Sequence, residues 1–564
     1  MNRLTHRVLR RTTWLLLAHA TAFAGELPPL TEPDPGAVDA VFTDWDRTDR
    51  PGCSLGVYRD GEILYARGYG MANLEHDLAN TSDTVFRIGS TSKQFTATAI
   101  ALLAQEGKLD LDGDIHDIFP ELPDYGAPVT IRHLLHHTSG IRDYLTLAWV
   151  ADWSEDYTIE EALRLVLAQR ELNFPPGSQY LYSNSNYFLM SQIVERVTGE
   201  TLHAWAATHV FEPLGMEHTH FHDDHNHIVR HRADGYSPLD AGGYRIDMTI
   251  LDMVGDGGIF TTVEDLARWN AHFVDNPLPG GAGLVEEMET PGTLTDGSST
   301  GYGFGLVVGE HRGLRMISHG GAFVGFRAAM DRFPDQHLSV AVLCNVSTAA
   351  PWELSRRVAD LYLADSLEPE PEMEAAPAED RSALVTVDEA ALERLTGHYW
   401  SADEALVREV ALTDGRLEYV RSAESRNPLE PLGGDRFRML GVPFPVIVRF
   451  EGEGATPARL LLEYPEEEPS VLDRYEPAQP SPDDLALLAG DWFSEELDAT
   501  RSISLRDGRL VLEGRHEDAV LQPVIEDVFA ADGLVLRFQR DDREAATGLL
   551  VDAGRVRDLR FTRR

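Results

Sequence analysis

The chain has 564 residues, 43% hydrophobic and 25% charged, with a formal net charge of −44. That length exceeds what one hydrophobic core serves, so roughly two to four folded domains are expected, and the composition excludes a wholly disordered chain. So acidic a surface repels nucleic acid and anionic membrane, which excludes DNA and RNA as partners, and no later stretch approaches the ~20 apolar residues of a membrane span.

The N-terminus carries Arg3, Arg7, Arg10 and Arg11, then the short apolar run Trp14 to Ala18, then Ala22-Phe23-Ala24. A basic start, an apolar stretch and a small-x-small pattern predict a signal peptide over 1–24 and a periplasmic or secreted mature protein. His19 interrupts the apolar run, and an amphipathic N-terminal helix is the alternative.

A strand, turn and strand follow at Leu55 to Tyr58, Arg59-Asp60-Gly61 and Ile63 to Ala66. Helix patterns run from Thr91 to Glu106, ended by Gly107, from Ile159 to Ala168, and from Tyr187 to Val197, stopped by Gly199. Strand patterns return at Met316 to Ser318, Gly325 to Asp331 and Leu338 to Cys344. Strands at both ends with helices between predict one sheet built from both termini of a domain over 25–365. The two cysteines, Cys53 and Cys344, lie in the outer β-like runs. Export permits a disulfide; two buried thiols are the alternative.

Leu367 to Asp380 reads LEPEPEMEAAPAED, rich in Glu, Pro and Ala. It predicts an extended linker, placed at 366–384. An internal repeat follows. Leu395-Thr396-Gly397-His398-Tyr399-Trp400-Ser401 matches Leu488-Ala489-Gly490-Asp491-Trp492-Phe493-Ser494, and Asp414-Gly415-Arg416-Leu417 matches Asp507-Gly508-Arg509-Leu510. The period of about 93 residues makes each copy domain-sized. Short alternating runs around Asp-Gly turns predict two antiparallel β-barrels, over 385–477 and 478–564. Neither copy carries a catalytic constellation of its own.

Only Lys93 and Lys108 among the 49 basic residues are lysines. An arginine keeps its proton in a protein, whereas a buried lysine can release it. Lys93 belongs to Ser90-Thr91-Ser92-Lys93, at the start of the first long helix. Residues i and i+3 share a helix face, so the amine reaches the Ser90 hydroxyl. A serine needs such activation to be a nucleophile. Lys93 would serve as base if burial lowers its pKa, or as a fixed charge that activates another base. Tyr182-Ser183-Asn184 precedes the third helix. A tyrosine beside a lysine ammonium ionises more easily and could shuttle the serine proton, while Asn184 could hold a substrate carbonyl. His319-Gly320-Gly321 follows the strand Met316 to Ser318. Its glycines allow close backbone approach, and the N–H of Ala322 could form an oxyanion hole with that of Ser90. Read singly, these are also a helix cap, a core tyrosine and a glycine turn.

Together, and in this order, they resemble the β-lactamase and penicillin-binding-protein family of serine hydrolases, its class C branch in particular, with its S-x-x-K, Y-x-N and K-T-G elements. Phe86-Arg87-Ile88-Gly89-Ser90, the run from Thr130 to Gly140, and Phe174-Pro175-Pro176-Gly177 look like the same family. The resemblance covers about residues 37 to 363. It implies an α+β fold, an antiparallel sheet with flanking helices and a helical lobe, with the site between them. It implies acylation at Ser90, proton transfers by Lys93 and Tyr182, substrate positioning by Asn184, His319, Gly320 and Gly321, and an oxyanion hole at Ser90 and Ala322. It also places the first strand beside the last, bringing Cys53 towards Cys344.

His319 departs from the lysine of penicillin-recognising members, and a neutral histidine attracts a substrate carboxylate less. H-x-G variants are typical of D-aminopeptidase-like and esterase-like members, and the former also carry two β-barrels after the catalytic domain. The resemblance thus implies a D-aminopeptidase or peptidase on D-amino-acid or peptidoglycan-like substrates. The alternatives are a carboxylesterase, a weak β-lactamase or, in another class, a catalytically inactive scaffold relative, against which intact Ser90, Lys93 and Tyr182 argue. A small molecule or peptide is the expected partner, with no cofactor and no metal. Ser139 lacks the glycine two residues before it that a nucleophile elbow needs, and reads as a turn residue. His218, His220, His222, His225, His227 and His231 could gather a metal, although similar loops occur in this family without one. The linker, about 14 residues and up to ~45 Å when extended, would let the barrels fold back on the cleft and set substrate choice.

Overall fold

Strands from the two ends of the first domain meet in one antiparallel sheet. They are β1 (Cys53–Arg59), β2 (Glu62–Tyr69), β3 (Val307–His311), β4 (Leu314–Phe323), β5 (Phe326–Phe333) and β6 (Leu338–Cys344), in the order β3-β4-β5-β6-β1-β2. The computed structural model describes residues 30–369 and 389–564, apart from 423–424, 443–445, 453–455, 465–468, 516 and 544. The expected signal peptide and most of the expected linker lie outside the described residues. Asp60 and Gly61 join β1 to β2 with φ of 51° and 81°, the left-handed pair that a two-residue hairpin turn requires.

Side chains alternate across β6. Leu338, Val340, Val342 and Cys344 face one layer with Val38, Leu354 and Val358, while Ala341 and Leu343 face the other. Helix Pro351–Tyr362 closes the first side, packing on β5 and β6. Cys53 and Cys344 sit directly opposite in the β1–β6 register and are joined by a disulfide.

The helical lobe covers the other side. Its main helices are α1 (Lys93–Gln105), α2 (Tyr144–Val150), α3 (Asn184–Thr198) and α4 (Val263–His272). Every residue of α1 from Lys93 to Leu103 is buried, so this helix is the axis of the lobe rather than an amphipathic surface helix. The helix expected from Thr91 begins two residues later, because Gly89–Ser92 forms a 3₁₀ turn. α3 stops at Gly199, whose φ of 79° ends the helix. Among the described residues no helix is long and apolar enough to cross a membrane.

The repeats form two barrels. The first closes eight strands, from Gly397–Ser401 to Ser470–Tyr475, around Tyr399, Leu417, Phe437 and Leu460. The second runs nine strands from Ala519–Val520 at one edge to Gln522–Ile525 at the other, and Leu521 alone separates those two in sequence, so the ring is nearly closed. Asp414-Gly415 and Asp507-Gly508 take the same left-handed turn conformation as Asp60-Gly61. The second barrel does not stand apart. Leu147, Ala148 and Val150 of α2, with Leu165, are buried in one cluster with its Leu485, Trp492, Leu536 and Phe561.

Candidate active site

The turn that presents Ser90 is shaped by its neighbours. Gly89 has φ of +52°, and a Cβ there would lie 2.8 Å from the Ala322 nitrogen. Ser92 Oγ donates to the Gly89 carbonyl at 2.6 Å and accepts from the Ile259 N–H at 3.1 Å, fixing the turn from inside. Strand β4 passes so close that a Cβ on Gly321 would lie 1.9 Å from the Ile88 carbonyl. The His319-Gly320-Gly321 segment therefore lies within β4, which continues to Phe323, and not in a turn after it. Ala322 lines the same cavity as Ser90.

One turn of helix sets Lys93 under Ser90. Its Nζ donates to Ser90 Oγ at 3.2 Å, to Asn184 Oδ1 at 2.9 Å and to the Asp256 carbonyl at 2.6 Å. Burial pulls the Lys93 ammonium down to about 7, opposed by Asp256 and assisted by the positive charge of Arg555. Asn184, at the start of α3, is held by its backbone N–H, which donates to Asp143 Oδ2 at 2.6 Å. With its carbonyl committed to Lys93, its amide nitrogen is the group left to donate to a substrate.

Tyr182 brings its ring to 4.7 Å from Lys93 Nζ. Burial raises the Tyr182 phenol well above its ordinary range, with Ser90 and Arg555 only partly offsetting this. The group brought near neutrality is Lys93, not Tyr182. Among the described residues the Tyr182 hydroxyl is buried without a geometrically sound hydrogen bond.

His319 Nδ1 donates to the Gly320 carbonyl at 2.6 Å, so Nε2 accepts from the Tyr302 hydroxyl at 2.9 Å. Burial and the charge of Lys93 lower its pKa to about 4. It is a neutral polar wall, as the H-for-K exchange implies.

These groups surround a cavity of about 460 Å³, within the range of small-ligand sites. Asp256, Tyr144 and Arg555 are among the lining residues that lie outside the motifs. Asp256 comes from Gly255-Asp256-Gly257-Gly258, and Tyr144 begins α2. Arg555 comes from the second barrel, in the turn between strands Ala546–Ala553 and Val556–Arg563. Its guanidinium lies 4.7 Å over the Tyr182 ring and 3.8 Å from Asp143. The glycine cluster around Asp256 was a readable sign of close packing, since a Cβ on Gly255 would lie 2.4 Å from the Tyr187 carbonyl. Nothing local marks Arg555.

The two other motifs fall elsewhere. Ser139 is buried and donates to Asn186 Oδ1 at 2.7 Å. In the histidine-rich stretch His220 and His222 approach at 3.2 Å, and His225 pairs with Asp252 at 3.0 Å. Among the described residues no three His, Cys, Asp or Glu side chains are grouped to hold a metal ion.

Residues 38–364 match the family model described as Beta-lactamase. The chain belongs to this family. It is a serine hydrolase related to the β-lactamases. Among its relatives, a D-aminopeptidase of Gluconobacter oxydans is 29% identical over 537 residues, covering 91% of this chain and 96% of the relative. A D-aminopeptidase of Cereibacter sphaeroides is 32% identical over 310 residues, 53% of this chain and 58% of that one. An octameric penicillin-binding protein homologue from Pyrococcus abyssi shares the fold, with a TM-score of 0.55 and 24% identity over 78% of this chain and all of that one.

Proposed function

We propose that the chain is an exported hydrolase that forms an acyl-enzyme on Ser90 and removes N-terminal D-amino acids from peptides or amides. The observation that carries this reading is Lys93 Nζ at 3.2 Å from Ser90 Oγ, with a pKa near 7. Unprotonated Lys93 takes the Ser90 proton as Oγ attacks the carbonyl. The N–H groups of Ser90 and Ala322 stabilise the oxyanion. The proton returns through Lys93 and the Tyr182 hydroxyl to the departing amine, and water then releases the acyl group by the same route. Neutral His319 gives no cationic seat for a substrate carboxylate, which disfavours carboxypeptidase and penicillin-directed chemistry. The Gluconobacter relative carries the name D-aminopeptidase and aligns over 91% of this chain, so the match extends into the second barrel. Export is supported by the N-terminal pattern and is compatible with the Cys53–Cys344 disulfide.

A carboxylesterase is the second reading. Leu145, Leu251, Met253, Phe323 and Trp352 give the cavity an apolar side suited to an acyl chain.

The test is a panel of D- and L-amino-acid amides, p-nitrophenyl esters and nitrocefin on the wild type and Ser90→Ala. The D-amides should be the preferred amides, and Ser90→Ala should lose roughly 10⁴-fold or more. Activity within tenfold of wild type would remove Ser90 as nucleophile. Esters cleaved without any D-amide would leave the esterase. Lys93→Arg should be nearly as damaging as Lys93→Ala, because guanidinium cannot give up its proton.

A further inference from the structure

Asp256 touches the catalytic machinery through its backbone and belongs to the lining of the cavity. Its carbonyl accepts from Lys93 Nζ at 2.6 Å, and the residue also lines the cavity that holds Ser90. It is only 7% exposed. Oδ2 accepts from the Tyr144 hydroxyl at 3.2 Å. Oδ1 is buried and, among the described residues, has no hydrogen-bond partner.

An unpaired acceptor on a buried carboxylate is costly. The charged and titratable groups acting on it include Lys93, Asp143 and Tyr144, while Arg87, Tyr157 and Tyr182 feel its charge in turn. Lys93 spends its donors on Ser90, Asn184 and a backbone carbonyl, and the Arg87 guanidinium stacks on Phe323 at 4.9 Å. A cationic donor entering from the cavity would complete the site. An aminoacyl substrate carries one where it is needed, since its α-nitrogen is about 2.5 Å from the carbonyl carbon under attack.

We propose that Asp256 is the acceptor for the substrate's α-ammonium group, and so the residue that selects a free amino terminus over an acylated one. This rests on the reading of Ser90 as nucleophile and sharpens the aminopeptidase proposal. The carboxylate makes a charge-assisted hydrogen bond to the ammonium through Oδ1, while Tyr144 holds Oδ2. An N-acylated substrate has neither the charge nor the donors, and would leave Oδ1 unpaired.

The experiment compares kcat/KM for matched pairs, D-alanine p-nitroanilide against its N-acetyl form and D-alanine p-nitrophenyl ester against its N-acetyl form, in wild type and Asp256→Asn. The free-amine to N-acetyl ratio should fall about 10- to 100-fold in the variant, as expected for a lost charge-assisted hydrogen bond, and the loss should lie in KM. If both members of each pair fall by one factor, Asp256 acts only by holding the charge of Lys93, and the proposal is overturned. A second arm needs no variant. D-Phenylalaninol should slow fluorophosphonate labelling of the wild-type Ser90, and N-acetyl-D-phenylalaninol should not; equal protection overturns the proposal. An enzyme that prefers free-amine esters but cleaves no amide would refute the aminopeptidase reading and leave Asp256 in this role.

Discussion

The two barrels arise from one repeated sequence yet stand in different relations to the site. The first closes its eight strands on its own core, and a small cluster of Trp400 with Val524, Val528 and Val535 joins it to the second. The second shares its core with the catalytic domain through Leu147, Val150 and Leu165. Buried Arg142 donates to Glu496 at 3.1 Å, and Glu496 also accepts the Arg170 N–H at 2.6 Å. Between their last two strands, the first repeat reads Tyr464-Pro465-Glu466-Glu467-Glu468-Pro469 where the second has Gly554-Arg555. Duplication supplied the scaffold twice; the docking face and one turn made the second copy part of the active site.

Deletion should break the comparison most visibly. A chain ending at Glu476 would uncover Leu147, Ala148, Val150 and Leu165, an apolar patch of the kind that drives aggregation. It should shift into aggregate in size-exclusion chromatography. Joining the linker to Pro477 instead removes the first barrel and uncovers the smaller cluster of Val524, Val528 and Val535 with Ala530, so Ser90 should still react with a fluorophosphonate. The reverse outcome would reverse the assignment of the two barrels.

The next effect is in stability. Arg142→Ala leaves Glu496 charged and buried, which destabilises by about 3–5 kcal/mol. Arg459→Ala in the first barrel removes an ion pair to Asp473 whose side chains are 56% and 69% exposed, worth less than about 1 kcal/mol. Urea unfolding followed by fluorescence reads both. Comparable losses would mean that the Arg142–Glu496 pair is not what anchors the second barrel.

What the sequence made legible follows from how local each feature is. Ser90 and Lys93 are fixed by one turn of helix, and the Asp-Gly hairpins by the φ values their turns require. Tyr182 and Asn184 were recognisable as a motif, but the burial that raises the Tyr182 phenol depends on residues far away in the chain. The glycines of His319-Gly320-Gly321 were readable as positions of close backbone approach, and they clear a path for β4 past Ile88. Cys53 and Cys344 left thiol and disulfide open until strand register decided between them. Asp256 and Arg555 obey no spacing rule. One acts from a glycine loop and the other from a domain some 460 residues beyond Ser90 in sequence, so only the assembled fold brings them to the nucleophile.

The smallest predicted effect is electrostatic. If unprotonated Lys93 is the base, kcat/KM rises with pH through a midpoint near the Lys93 value of about 7. Arg555 is among the groups that push this value down. Removing its charge favours the ammonium, so Arg555→Gln should move the midpoint to higher pH and lower activity below pH 7. Arg555 is 43% exposed, and water screens much of its field, which limits the shift to less than about one pH unit. Arg459→Gln, on the first barrel, should leave the midpoint where it is. Tested on an N-acetyl ester, the comparison is free of any ammonium on the substrate. A midpoint that stays fixed in Arg555→Gln while KM changes would mean that the second barrel shapes the cavity without tuning its base.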